Sequence, residues 1–199
     1  MGQYFDNDTQ LKSERRALKF AYKSIELTLY SDVGVFSKNE IDEGSIGLLN
    51  VVTSQTLSGE ILDVGCGYGT LGLTIAKLFK EVNVTLFDVN ERAVELTKAN
   101  INANHIDNAN AFVASTYQAV ANHRFQTIVI NPPIRAGKRV YYPLLVEALN
   151  YLTDGGTLYF VIRKSHGALS AKAHVEQHFG NCDLVQKHHG FYVYQAIKR

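Results

Sequence analysis

The feature that most constrains the fold of this chain is a regular alternation of short β-rich runs and longer amphipathic stretches from residue 60 onward. Such alternation is typical of a mostly parallel sheet with helices on both faces, because parallel neighbours need a crossover connection. Gly155-Gly156 is expected to turn the chain before the fifth strand. The predicted strands are Glu60–Val64, Asn83–Phe87, Ala111–Ala114, Phe125–Ile130 and Thr157–Ile162, and the predicted helices are Leu71–Lys80, Glu91–Asn104, Tyr142–Leu152 and Ala168–Phe179.

The end of the chain departs from this alternation. Two β-rich runs, Cys182–Lys187 and Phe191–Ile197, are separated only by His188-His189-Gly190. That connection is too short for a crossover helix, so the two runs are predicted to form an antiparallel hairpin at one edge of the sheet. The expected fold is therefore α/β, with a mostly parallel seven-stranded sheet and a C-terminal antiparallel hairpin.

Residues 1–59 are less regular and are predicted to form a short cap on the sheet. Ser24–Tyr30 alternates polar and apolar residues like a half-exposed strand, and Ile46–Leu57 is predicted to be helical, with its N-cap near Asp42–Ser45. A chain of 199 residues, 46% of them hydrophobic, suits one domain with a substantial core. We expect residues 1–199 to form a single domain, with the cap at 1–59 and the core at 60–199.

Composition narrows the classes of function. A net charge of +1 argues against a strongly basic nucleic-acid coat but leaves room for a local basic patch. The sequence contains no apolar run of membrane-spanning length and no signal-peptide pattern at its start. Cys66 and Cys182 are far apart, which favours a reduced compartment without a disulfide framework. A soluble, cytoplasmic protein is expected.

The segment Ile61–Thr70 is predicted to run from a strand through a glycine-rich turn into a helix. Its glycines would let a ligand approach the backbone N–H groups at the helix N-terminus. Gly67–Gly72 matches the G-x-G-x-x-G pattern of dinucleotide sites. Asp63, however, would repel a pyrophosphate, whereas it suits the ammonium group of a methionine moiety, directly or through water. The charge pattern therefore favours S-adenosylmethionine over a dinucleotide.

Polar residues are also predicted at the ends of the next two strands. Asp88 can accept hydrogen bonds from both hydroxyls of a ribose. Its alternative role is an N-cap for the helix that begins near Glu91. Ser115 and Thr116 can hold an adenine amino group, and the alternative for them is a plain exit from the strand.

Asn131-Pro132-Pro133-Ile134 follows the buried run Phe125–Ile130. Two prolines fix φ and remove two backbone donors, so the segment cannot extend the strand ladder. The Pro132 carbonyl and the Asn131 side-chain oxygen are left as acceptors, which suits an amino group that is about to be alkylated. The alternative is an ordinary Pro-Pro turn.

Three motifs carry a family resemblance: Asp63–Gly69, Asp88 and Asn131–Ile134. In this order and spacing they resemble a class I S-adenosylmethionine-dependent methyltransferase, whose fold is Rossmann-like. Gly34–Ser37 with Asp42, Gly44 and Ser45 further resembles the small-domain methyltransferase family, which includes the small-subunit (16S) ribosomal RNA guanine-N2 methyltransferases. The similarity runs from about Tyr4 to the C-terminus. It implies S-adenosylmethionine as cofactor, S-adenosylhomocysteine as product, and methylation of a planar amino or amide nitrogen.

The resemblance also implies site residues. Asn131 and Pro132 are the expected catalytic residues. Phe36 would cover the cofactor, or else be a core phenylalanine. The expected cofactor-binding residues are Phe36, Asp63, Gly65, Cys66, Gly67, Gly69, Asp88, Val89, Ser115, Thr116 and Asn131, and the expected substrate-binding residues are Pro133, Ile134, Arg135, Lys138 and Arg163.

Two features bear on the substrate. Ile134 stands where enzymes that methylate adenine N6 or glutamine N5 often carry an aromatic residue, which disfavours those targets. Two basic groups are expected on one rim of the sheet and favour a nucleic-acid substrate, although solvated loop charges are the alternative. These groups are Arg135, Lys138 and Arg139 after the prolines, and Arg163, Lys164 and His166 after the fifth strand. The ribosomal RNA enzymes of this family carry a second, upstream domain that helps to present the RNA. Here we expect the RNA contacts to come from the methyltransferase domain at 1–199 itself or from a partner.

The first hypothesis is a ribosomal RNA guanine-N2 methyltransferase. Two alternatives are an N-methyltransferase of a small-molecule amine or protein amide, and a non-catalytic S-adenosylmethionine-binding RNA or assembly factor; a dinucleotide oxidoreductase ranks below them. No metal is required, since His174 and His178 have the i, i+4 spacing of ligands but no evident third partner. The oligomeric state stays open between monomer and homodimer.

Overall fold

A computed structural model describes residues 12–199, so the start of the predicted cap, residues 1–11, lies outside the described residues. A two-stranded sheet consists of β1 (Arg16–Tyr22) and β2 (Ile25–Ser31). The seven-stranded sheet comprises β3 (Glu60–Val64), β4 (Asn83–Asp88), β5 (Ala109–Val113), β6 (Phe125–Ile130), β7 (Leu152–Arg163), β8 (Asp183–His188) and β9 (Phe191–Ile197). The α-helices are α1 (Glu43–Val52), α2 (Thr70–Leu78), α3 (Glu91–Ala103), α4 (Lys138–Tyr151) and α5 (Ala168–Phe179), and 3-10 turns lie at Tyr117–Val120, Ile134–Ala136 and Lys164–His166.

The strand order of the large sheet is β5-β4-β3-β6-β7-β9-β8. Strands β3 to β7 are all parallel to one another, and β9 is antiparallel to both β7 and β8. The predicted α/β fold with a C-terminal antiparallel hairpin is thereby confirmed. The chain winds outward from β3 in one direction and from β6 in the other, so a crevice opens where the carboxyl ends of these two strands meet.

Apolar layers cover both faces of the sheet. Ile61 and Val129 belong to the layer that includes residues of α1, α2 and α3, whereas Leu62 and Ile128 belong to the layer that includes residues of α4 and α5. All four side chains are fully buried. Burial on both faces explains why the central strands are nearly continuous apolar runs. Among the described residues, no helix is long and apolar enough to cross a membrane.

Residues 12–59 contain more regular secondary structure than the sequence indicated. The predicted strand and helix are present as β2 and α1, but α1 begins at Glu43 and ends at Val52. Strand β1 was not predicted, although Leu18, Phe20 and Tyr22 alternate with more exposed residues, as in a half-buried strand. It pairs with β2 through a tight turn at Lys23-Ser24.

The hairpin of β1 and β2 docks on the core through two asparagines of α3. Asn100 accepts a hydrogen bond from Tyr30 N at 2.7 Å and donates one to Tyr30 O at 3.1 Å. Asn104, one helical turn later, makes the same pair of bonds with Thr28, at 2.8 and 2.9 Å. The two amides satisfy the free edge of β2 in place of a third strand.

Two boundaries differ from the predictions. Helix α4 starts at Lys138 and contains Pro143, which the predicted start at Tyr142 placed in the first turn. Gly155-Gly156 does not turn the chain before a new strand. Phe125 pairs with Leu152, and Thr127 pairs with Thr157, so residues 153–156 bulge within one longer strand, β7.

Candidate functional site

The glycine turn after β3 lies at the crevice. Gly65, Gly67 and Gly69 all have positive φ, at 70°, 57° and 97°. A Cβ added at Gly65 or Gly67 would meet no atom within 4 Å, so both face open space. A Cβ at Gly69 would lie 2.7 Å from the Leu73 side chain and 3.1 Å from Thr97 Cγ2, so a glycine here lets the start of α2 lie close to α3. The open backbone at Gly65 and Gly67 therefore fits close approach by a ligand.

Asp63, at the end of β3, is completely buried. Its Oδ2 accepts a hydrogen bond from Gly72 N at 2.8 Å, while its Oδ1 has no hydrogen-bond partner within the described part of the chain. Desolvation, with a smaller contribution from the negative charge of Asp88, raises the pKa of Asp63 to about 7. An unpaired buried carboxylate oxygen is unfavourable, and a ligand ammonium group has the charge and the donors to satisfy it.

Asp88 ties the end of β4 to the glycine turn. Its Oδ2 accepts from Gly67 N at 2.8 Å and its Oδ1 from Asn90 N at 2.9 Å. The alternative role of Asp88 as the N-cap of α3 is wrong, because the N-cap is Asn90, whose side chain accepts from Ala93 N at 3.1 Å. The contact of Asp88 with a ribose stays a prediction.

Two further predicted cofactor residues lie beside Asp88. Ser115 and Thr116 are exposed and follow β5, whose extension is held by a hydrogen bond from Ala114 N to Asp88 O at 2.9 Å. Val89 directly follows Asp88. The structure brings all of these residues to one edge of the sheet, and their contacts with a nucleoside stay predictions.

A segment of the cap, residues 34–37, is bonded to the same edge. Asn90 Nδ2 donates to Gly34 O at 3.0 Å, and the Tyr68 hydroxyl donates to Ser37 O at 3.1 Å. Phe36, between these two attachments, is 54% exposed. The alternative of a core phenylalanine is therefore wrong, while the covering role stays a prediction.

Cys66 lies inside the glycine turn and is buried. Its Sγ is 3.6 Å from Gly67 O and 4.0 Å from Thr97 Oγ1. Burial raises the pKa of this thiol, with the charges of Asp63 and Asp88 acting in the same direction. Cys66 is thus a neutral, small residue that the turn accommodates.

Asn131 is the first residue after β6 and lies beside the glycine turn, since Val64 pairs with Ile130. Its Nδ2 donates to Asp42 Oδ1 at 3.2 Å, to Asp42 Oδ2 at 3.3 Å and to Ser45 Oγ at 3.1 Å. Both amide hydrogens are engaged, which leaves the amide oxygen as the group that can accept from a ligand. The sequence did not predict these contacts, although Asp42 and Ser45 carried part of the family resemblance.

The Pro132 carbonyl differs from its predicted state. It accepts a hydrogen bond from Ile134 N at 2.8 Å, and Pro133 has φ −75° and ψ 74°, the geometry of an inverse γ-turn. The two prolines remove their own N–H groups, but Ile134 keeps its donor and folds back onto the carbonyl. One lone pair is therefore used, and the second is available to a ligand.

The two predicted basic groups lie on one rim. Because β6 and β7 are parallel neighbours, the segments after their carboxyl ends emerge side by side. Lys138 Nζ lies 5.6 Å from the centre of the Tyr142 ring, and the Arg163 guanidinium 5.4 Å from that of Phe191. The exposed basic residues of the rim are Arg135, Lys138, Arg139, Arg163, Lys164 and His166.

Two histidine pairs have structural partners. His174 stacks on Tyr142, with ring centroids 4.3 Å apart, and His178 Nδ1 lies 2.8 Å from His174 O. His188 and His189 both approach Glu43 Oε2, at 2.8 and 2.9 Å, so the three could offer ligand atoms to a cation. The two imidazole rings are stacked, with an interplanar angle of 13°. The arrangement suits two hydrogen bonds to one carboxylate.

Comparison with known proteins places this site in a family context. The profile of the methyltransferase small domain family matches residues 26–195. The uncharacterized protein YbxB of Bacillus subtilis (strain 168) is 39% identical over 98% of this chain and 98% of its own length. Ribosomal RNA small subunit methyltransferase C of Vibrio cholerae is 33% identical over 89% of this chain but only 51% of its own length.

A solved structure shows the same relationship. The 16S rRNA guanine N2 methyltransferase RsmC of T. thermophilus, in complex with AdoMet and guanosine, superimposes with a TM-score of 0.85 at 27% identity. The match covers 95% of this chain and 52% of that one. The chain thus spans about half the length of the ribosomal RNA methyltransferases that it matches, and nearly all of YbxB.

Proposed function

The chain belongs to the methyltransferase small domain family of S-adenosylmethionine-dependent methyltransferases, and on that premise we propose that it methylates the exocyclic N2 of a guanine in ribosomal RNA. The observation that carries this proposal is the Asn131 amide, whose two N–H groups are held by Asp42 and Ser45. Its oxygen is left to accept a hydrogen bond from an amino group beside the glycine turn.

The residues of the crevice fit S-adenosylmethionine. Asp63 would bind the ammonium group, the open backbone at Gly65 and Gly67 would admit the methionine portion, and Asp88 would accept from the ribose. Ser115 and Thr116 would contact the adenine, with Val89 beside them, and Phe36 would cover the bound molecule. S-adenosylmethionine supplies a methyl group on a positively charged sulfur, which a correctly oriented amine attacks in line.

The catalytic contribution of the chain is to orient the amine. Asn131 Oδ1 and the remaining lone pair of the Pro132 carbonyl would accept hydrogen bonds from the two N–H groups of the guanine N2 amine. Such acceptors hold the nitrogen lone pair in the attacking direction, and their dipoles stabilise the positive charge that develops on nitrogen. This chemistry needs no nucleophilic side chain.

Several features support a guanine in RNA as the substrate. Ile134 provides an apolar surface without the aromatic ring that would stack on a flipped adenine. Pro133 would pack beside the same base. Arg135, Lys138 and Arg163 on the shared rim would contact phosphates. We further infer that residues 1–199 act as one methyltransferase domain in the cytoplasm.

The proposal is tested by mass-spectrometric mapping of modified nucleosides in total RNA from cells with and without the gene. We expect one N2-methylguanosine to disappear from ribosomal RNA and to return with the wild-type gene, but not with an Asn131→Ala gene. An unchanged RNA profile would contradict the proposal and shift weight to a small-molecule amine or a protein amide as substrate.

A further inference from the structure

We propose that Asp42 and Ser45 are positioning residues that hold the Asn131 amide in the one orientation able to accept a hydrogen bond from the substrate amine. The inference rests on the proposed role of Asn131 as that acceptor. It adds the part of the site that decides which end of the amide faces the substrate.

An asparagine amide has nearly the same shape in its two flipped orientations, but the chemistry of the two differs. With its amide oxygen toward the crevice, Asn131 can accept a hydrogen bond from an amine. With its amide nitrogen there, the N–H groups of Asn131 would face the N–H groups of the amine, and neither could accept. Packing alone distinguishes these states poorly. A hydrogen-bonding partner of fixed character is needed to choose between them.

Asp42 has that fixed character. An ionised carboxylate can only accept hydrogen bonds, and both of its oxygens lie close to Asn131 Nδ2, at 3.2 and 3.3 Å. In the flipped state the amide oxygen would face this carboxylate, which is repulsive. Ser45 Oγ, 3.1 Å from Nδ2, takes the second N–H. The two contacts therefore select the orientation with oxygen outward.

Asp42 is itself held rigidly. It is the N-cap of α1, and its Oδ1 accepts a hydrogen bond from Ser45 N at 3.1 Å. A Cβ on the next glycine, Gly44, would lie 2.9 Å from Asp42 Oδ1 and 3.0 Å from the Phe191 ring. Leu48 and Leu49 are fully buried and anchor α1 in the core. The positioning pair is thus part of a packed helix start and not of a loose loop.

The Asp42→Asn substitution tests this arrangement. Asparagine caps a helix about as well as aspartate, so α1 should keep its start, but its amide can donate as well as accept and no longer forbids the flipped Asn131. We expect kcat to fall about ten- to a hundredfold, by analogy with the loss of a partner that orients a metal-binding side chain. The affinity for S-adenosylhomocysteine and the melting temperature should stay at wild-type values.

Glu43→Gln is the matched control. It removes the same charge from the neighbouring residue at the same helix start, but the Glu43 carboxylate faces His188 and His189. We expect its kcat to match the wild type. Ser45→Ala removes one of the two residues that accept from Asn131 Nδ2. We expect its kcat to lie between those of Glu43→Gln and Asp42→Asn.

A readout without substrate separates this inference from the proposed function. The side-chain amide signals of Asn131 in a ¹⁵N NMR spectrum can be assigned by their loss in Asn131→Ala. In the wild type we expect slow exchange of both protons, and in Asp42→Asn and Ser45→Ala we expect shifted, faster-exchanging signals. Wild-type signals in both variants, or a wild-type kcat in Asp42→Asn, would overturn the inference. If the wild-type protein methylates no RNA, the proposed function fails while the NMR result still decides the orientation.

Discussion

Two side chains show how single residues acquire function from their surroundings. Asp63 is an ordinary carboxylate that becomes unusual through complete burial with one oxygen unpaired. Asn131 is an ordinary amide that becomes directional because its nitrogen is held by Asp42 and Ser45. In both residues the contacts made inside the protein leave one defined oxygen for a ligand.

At Asn131, replacement by alanine removes the proposed amine acceptor. We expect Asn131→Ala to bind S-adenosylhomocysteine as the wild type does and to lose about a hundredfold in kcat, equivalent to about 3 kcal/mol of transition-state stabilisation. Isothermal titration and a single-turnover assay measure the two quantities. Asn150→Ala, at an exposed position of α4, is the control. Full activity in Asn131→Ala would rule out the assigned role.

At Asp63, burial raises the pKa from an ordinary value of 3.8 to about 7, so the folded state binds this proton more tightly than the unfolded state. The corresponding contribution to stability is complete below about pH 4 and is lost as pH rises through 7. We therefore expect the Asp63→Asn variant to gain stability relative to the wild type between pH 4 and pH 8. Urea denaturation at a series of pH values measures the difference.

The same substitution should weaken the binding of S-adenosylhomocysteine, because the proposed ammonium partner is lost. Asp154→Asn, at a carboxylate whose side chain is 93% exposed, is the control and should show neither effect. A stability difference between Asp63→Asn and wild type that does not change with pH would contradict the raised pKa.

At the scale of elements, the structure joins pieces of chain through side chains as well as through strand pairing. Helix α3 satisfies the outer edge of β2 with Asn100 and Asn104, and α1 reaches the end of β6 through Asp42 and Ser45. Both connections bring the N-terminal segment to the crevice. The cap is therefore part of the site's architecture.

The ladder of Asn100 and Asn104 gives a stability prediction. Each alanine substitution leaves a backbone N–H and a C=O of β2 without a partner, and we expect each to lower the free energy of unfolding by about 1–3 kcal/mol. Urea denaturation measures this, and hydrogen exchange at Thr28 and Tyr30 should become faster. Asn102→Ala, on the exposed side of α3, is the control. Unchanged exchange at both amides would show that the ladder does not hold the hairpin.

At the scale of the whole molecule, the strand order decides which distant residues share a surface. The reversal between β3 and β6 brings the glycine turn and Asn131 together, and the parallel β6 and β7 bring two basic segments to one rim. A net charge of only +1 thus coexists with a local cluster of positive charge beside the crevice.

This rim should bind ribosomal RNA with a marked dependence on salt. We expect the double substitution Lys138→Gln, Arg163→Gln to weaken RNA binding and to reduce the slope of log affinity against log salt by about 1–2, since each replaced side chain would otherwise neutralise one phosphate. Filter binding over a range of potassium chloride concentrations measures the slope. Lys80→Gln with Arg124→Gln, just before β4 and β6 at the opposite edge of the sheet, is the control. Equal slopes for both double variants would argue against the rim.

The sequence by itself determined the order and type of nearly all elements of the core, because strand and helix periodicity, glycine turns and proline pairs act over a few neighbouring residues. It also indicated Asp63, Asp88 and Asn131 as site residues through their positions at strand ends. It did not show β1, the bulge within β7 or the γ-turn at Pro132, whose geometry depends on pairing partners. Only the tertiary structure decided how Asn131 is oriented, because Asp42 and Ser45 lie 89 and 86 residues away along the chain and meet it solely through the packing of α1 on the sheet.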